Sequence, residues 1–126
     1  MASLTLDDRD SFILIKIHAD NLEDTEKDLT TGDIAKDLFR DCEDEIRDSY
    51  DGNKNRFLTA KTNMVKHRVK KMEEHGLLAI EKTKTSDRLK LDDKKVVIRT
   101  MKTPDKKMGK FLCVKDLDDK WLALQI

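Results

Sequence analysis

The sequence predicts an α+β fold, with helices first and a small antiparallel sheet second. Three observations carry that prediction. Up to about residue 76 the apolar side chains recur at helical spacing. Beyond it they alternate in short runs separated by polar turns. The 126 residues suit one domain over 1–126. With 41% charged and 5% aromatic residues, its core must be small and mostly aliphatic.

The first helix is expected over about residues 6–21, capped by Thr5 and carrying Asp7 and Asp8 in its first turn. Phe12, Ile13, Leu14, Ile15 and Ile17 leave almost no polar face, as in a helix buried on most sides. A buried strand would show the same run. Glu23 to Asp28 reads as a polar loop. Thr31 is then an N-cap for one amphipathic helix over 32–49. Its stripe is Ile34, Leu38, Cys42 and Ile46, widened by Ala35, Phe39 and Tyr50. Its outer face is acidic, with Asp37, Asp41, Asp44, Glu45 and Asp48. Asp51-Gly52-Asn53-Lys54-Asn55 is a turn.

The third helix is expected over 59–75, with Thr59 as cap, Val65, Val69 and Met72 inward, and Gly76 in the left-handed position after its end. The alternating half follows. Strand-like runs are Leu78 to Lys82, Leu89 to Leu91, Val96 to Ile98, Phe111 to Val114 and Trp121 to Leu124. Thr85-Ser86-Asp87, Asp92-Asp93-Lys94 and Thr103-Pro104-Asp105 separate them.

The run from Leu29 to Leu91 resembles the winged helix-turn-helix family. Leu29-Thr30-Thr31-Gly32-Asp33-Ile34-Ala35-Lys36-Asp37-Leu38 looks like its positioning helix. Thr59 through Leu78, ending Val69-Lys70-Lys71-Met72-Glu73-Glu74-His75-Gly76-Leu77-Leu78, looks like its recognition helix and exit. Ile80 to Ile98 looks like a two-stranded wing. The resemblance implies a helix-turn-helix and wing over 29–98, a C-terminal β extension over 99–126, and a small transcriptional regulator of prokaryotic or archaeal type. One departure is the stretch from Phe39 to Leu58, where the family has a short turn. An extended second helix and the 51–55 loop are expected to fill it.

The residues point the same way on their own. Net charge is zero, but residues 1–52 hold 16 acidic and 6 basic side chains, a net of −10, and residues 53–126 hold 10 and 20, a net of +10. Such asymmetry marks a basic binding face with an acidic back, or two solvated faces that pair across the fold. With Val65, Val69 and Met72 inward, Asn63, His67 and Lys70 project outward, flanked by Lys66 and Lys71, with Thr62 near the helix start. Lysines neutralise phosphates, Asn pairs with adenine, and His or Thr reaches base edges. Lys82, Lys84, Arg88, Lys90, Lys94 and Lys95 crowd the expected hairpin, which would lie along the backbone. The plainer account is a solvated lysine face on an ordinary helix.

Other chemistries find little footing. Cys42, His67, His75 and Cys113 have no zinc-ligand spacing, and both thiols read as buried core in a reducing compartment. His18 reads as a packing residue. The four glycines form no phosphate-binding loop, and no serine sits in a nucleophile motif, so no catalytic role, metal or cofactor is expected. Met1 to Leu4 lacks a signal-peptide layout and Phe12 to Ile15 is too short to span a bilayer, so a cytoplasmic protein is expected. The expected partner is double-stranded DNA, bound by a homodimer that pairs through the first helix or through Trp121 to Ile126; Trp121 serves equally well as core. The alternative is a winged-helix module that binds protein through the acidic helix 33–48. RNA is disfavoured by the scarcity of aromatics.

Overall fold

The computed structural model describes residues 5–23, 29–82, 87–115 and 117–126. Among these, four helices precede five strands: α1 (Asp8–Glu23), α2 (Thr31–Leu38), α3 (Glu43–Tyr50), α4 (Lys54–Glu74), β1 (Leu78–Lys82), β2 (Asp87–Leu91), β3 (Val96–Lys102), β4 (Met108–Lys115) and β5 (Trp121–Gln125). The strands form two antiparallel sheets, a β1–β2 hairpin and a three-stranded β3–β4–β5 sheet. The α+β layout is therefore as expected, while several boundaries differ.

α1 begins at Asp8 because Asp7, not Thr5, caps it. The Asp10 amide donates to Asp7 Oδ1 at 2.9 Å and the Asp7 amide donates to Asp10 Oδ2 at 3.1 Å, a reciprocal capping box. Ile13, Leu14 and Ile17 are fully buried. α2 opens with a second box, in which Thr30 caps and Asp33 returns the bond, both at 3.1 Å. Thr31, the expected cap, is the first helical residue.

The single helix expected over 32–49 is two. The chain breaks after Leu38, and Asp41 takes the left-handed region at φ 61°. The reason lies in the stripe itself. Residues spaced by four drift about 40° per step around a 3.6-residue helix, so Ile34 and Ile46 cannot face one neighbour from one straight helix. The break redirects Phe39 into an aromatic cluster with Phe57 and Tyr50, edge to face at 6.4 and 5.5 Å from Phe57. Cys42 consequently leaves the core and sits half-buried before α3, whereas Cys113 is buried as expected.

Asp51 and Gly52, at φ 51° and 75°, turn the chain into α4. Asn53 caps that helix by accepting the Arg56 amide at 3.1 Å. Thr59 is thus a mid-helix residue, its hydroxyl donating to the Asn55 carbonyl at 2.9 Å. The far end follows the expected plan. Gly76 has φ 74°, and the Leu77 and Gly76 amides close back on the Met72 and Glu73 carbonyls at 3.0 and 2.9 Å.

The hairpin spans 78–91, not 80–98; Val96 to Ile98 open the second sheet, so the expected boundary at 98/99 cuts through β3. The Thr85–Ser86 part of the expected turn lies outside the described residues, and Asp87 already belongs to β2. The Asp92 turn and the break at Thr103 to Asp105 fall where expected. Asn21 of α1 fastens the hairpin: its amide donates to the Leu89 carbonyl at 3.0 Å and its carbonyl accepts the Leu91 amide at 2.9 Å. One core joins these parts, with Ile13, Leu14 and Ile17 of α1, Ile34 and Ala35 of α2, Val65, Val69 and Met72 of α4, Leu78 and Leu89 of the hairpin, and Val96, Leu112 and Val114 of the second sheet.

Candidate nucleic-acid interface

α4 is 21 residues long, about 30 Å at 1.5 Å per residue. Its inner side is anchored by Phe57, Val65, Val69 and Met72 and packs on α2 and α1. Asn63, Lys66, His67, Lys70 and Lys71 are all exposed on the opposite arc, as the spacing predicts. Thr62 lies at the margin, half-buried. Extending the helix to residue 54 adds Arg56 to that arc, since it lies seven residues before Asn63 and is exposed. The 56, 63, 70 spacing was present in the sequence; placing the cap at Thr59 concealed it.

The basic side chains of α4 fall into two groups. Those on its flanks are consumed by the fold. Lys61, 16% exposed, donates to Glu45 of α3 at 2.8 Å and lies 4.8 and 5.5 Å from the Phe39 and Phe57 ring centroids. Arg68, 23% exposed, binds Asp7 at 2.8 Å and Asp10 at 2.9 Å, clamping α4 to the start of α1. The Arg68 hydrogen bond is the main cause that holds the Asp7 carboxyl at about 2, well below the usual carboxylate range. Lys66, Lys70 and Lys71, on the outer arc, have no ion-pair partner among the described residues. The −10/+10 division is thus partly spent on internal pairing and partly left facing solvent.

The hairpin contributes less than its composition implies. Arg88 and Lys90 share the outward face of β2, but Arg88 stands across from Glu81. Lys84 lies outside the described residues. Lys94 is exposed in the Asp92 turn, and the Asp92 amide donates to the Leu77 carbonyl at 2.9 Å, which brings that turn to the exit of α4. There Lys95 crosses Gly76, its Nζ 2.8 Å from where a Cβ would stand. The turn that carries Lys94 and Lys95 therefore meets the C-terminal end of α4, whose last turn carries Lys71 and where cations also suit the helix dipole.

The acidic residues expected to form one helical face do not. Asp37 of α2 binds Lys16 at 2.8 Å and Arg40 at 2.9 Å, and these bonds, Lys16 first, lower its carboxyl pKa. Asp44 and Asp48 flank Arg47 on α3 and remain largely exposed. His18 is half-buried and lines a cleft of about 510 Å³ with Asn21, Lys90 and Asp93. Among the described residues, no group of three or more His, Cys, Asp and Glu is placed to hold a metal ion, and no helix is long and apolar enough to cross a membrane. No protein-family model matches the chain, and comparison with curated proteins and with solved structures finds no match.

Proposed function

We propose that this protein binds double-stranded DNA as a transcriptional regulator of winged helix-turn-helix type, with the outer arc of α4 in the major groove and the β1–β2 hairpin serving as a wing on the backbone. One observation carries the reading: Asn63, Lys66, His67, Lys70 and Lys71 share one exposed arc with no internal ion pair, while the flanking Lys61 and Arg68 are paired. A helix fits a groove about 12 Å wide, and unpaired lysines release counterions there without first breaking a bond. α2 still packs directly on α4 despite the inserted α3, as a positioning helix must.

The test is fluorescence anisotropy of labelled duplex DNA across a salt series. A slope of log K against log salt of about −4 or steeper is expected for about five neutralised phosphates. Replacing Lys66, Lys70 and Lys71 together by Gln should reduce its magnitude by about 2.7. Absence of binding at low salt, or a triple variant with the wild-type slope, overturns the reading. A second reading, a module for a basic protein partner, is favoured by the exposure of Asp44 and Asp48, whose side chains are 90% and 65% accessible. Partner capture that survives the triple Gln variant and is lost on changing Asp41, Asp44 and Asp48 to Asn would establish it instead.

A further inference from the structure

β5 is an edge strand, hydrogen-bonded on one side to β4. The Ile126 amide donates to the Lys110 carbonyl at 3.0 Å, which with the register Leu112↔Leu124 and Val114↔Leu122 turns the backbone groups of residues 122, 124 and 126 toward β4. The amides and carbonyls of Trp121, Ala123 and Gln125 point the other way, and no other described segment pairs with them. Natural edge strands are commonly guarded by lysine, proline or a bulge. Trp121 to Ile126 contains no charged residue and no proline, and its pairing with β4 runs without a bulge. The other edge of the sheet, β3, carries Arg99 and Lys102.

We propose that β5 pairs antiparallel with β5 of a second copy of this chain, making one continuous six-stranded sheet. The strand is self-complementary about Ala123. A two-fold axis there sets two small methyl side chains against each other, Trp121 beside the partner's Gln125, and Leu122 beside the partner's Leu124 on the opposite face. The isologous contact closes on itself and stops at two copies. A five-residue strand pair falls short of the roughly 1,200 Å² that a stable interface buries. Further contact has to come from the adjoining surface, where a cleft of about 290 Å³ between the start of α1 and the end of β5 is lined by apolar Leu6, Phe12, Ile15 and Leu124 and by polar Asp7, Asp8, Ser11 and Gln125, with Ile126 exposed. The pairing leaves the outer arc of α4 uninvolved, so it stands or falls separately from DNA binding.

Sedimentation velocity on the full chain, over a hundredfold range of concentration and without DNA, tests it. The wild type is expected to sediment as a dimer that dissociates on dilution. Ala123→Lys and Ala123→Glu each place like charges at the axis, on an already exposed position, and should sediment as folded monomers; an equimolar mixture of the two should return to dimer. Ala123→Pro, which removes an outward amide not used by β4, should also be monomeric. A wild type that stays monomeric throughout, charge variants that remain dimeric, or folded charge variants that do not re-pair when mixed would overturn the proposal.

Discussion

Replacing Arg68 by Gln separates the two kinds of basic residue on α4. Arg68 reaches Asp7 at 2.8 Å and Asp10 at 2.9 Å from the flank of the helix, and the Asp10 side chain is only 13% exposed. Removing the guanidinium leaves that carboxylate partly desolvated without its cation. A charged hydrogen bond contributes about 1.5–3 kcal/mol and an exposed pair under about 1 kcal/mol. Asp10 belongs nearer the first class and Asp7, half exposed, nearer the second, so about 2 kcal/mol is expected in total. For a chain of this size that lowers Tm by roughly 8 °C. The effect depends on pH with a definite sign. The pKa of Asp7 is depressed to about 2 in the folded protein, so its contribution is complete above the ordinary carboxylate range near 4 and is lost as pH falls toward 2. Thermal melts of wild type and R68Q should therefore differ most at neutral pH and converge on acidification. The salt slope of DNA binding should stay at the wild-type value, because Arg68 is not free to meet phosphate. An R68Q protein with unchanged Tm, or one whose salt slope falls as much as that of Lys70→Gln, would refute the division of α4 into structural and binding cations.

Two further substitutions probe how the scaffold holds the site. Asn21→Ala removes both bonds that fasten β2 to α1 and should cost about 1–2 kcal/mol, seen as faster amide exchange at Leu91; unchanged protection there would show that the hairpin is held by its apolar contacts alone. Phe57→Ala removes the centre of the Phe39–Phe57–Tyr50 cluster and should cost about 3–5 kcal/mol, with exchange protection in α3 lost before that in α4; simultaneous loss in both helices would mean that α3 is not separately docked.

The fold class was legible because it rests on local periodicity. Val65, Val69 and Met72 fall on one side of any α-helix, and their burial placed Asn63, Lys66, His67, Lys70 and Lys71 outward before any tertiary contact was known. Gly76 was legible because few other residues tolerate φ 74°. Caps were less so. Thr5, Thr31 and Thr59 each have the right chemistry, but Asp7, Thr30 and Asn53 hold the positions. Many polar residues can cap, and the choice among neighbours depends on where packing starts the helix.

What tertiary structure alone decided is which charges are spent. Helical period sets Lys66 and Lys70 outward and Lys61 and Arg68 on the flanks, but it does not name the carboxylates that meet the flanking pair. Only the fold brings Glu45 to Lys61 and Asp7 and Asp10 to Arg68, pairs that span up to 61 residues of chain. The same holds for the break after Leu38, fixed by the aromatic cluster that Phe39 joins, and for the division of the strands into two sheets, fixed by which edges meet. Helical period and turn chemistry act over a few residues and can be read from the chain. Ion pairing and strand partnership act between distant segments, and their outcome exists only once the segments are packed.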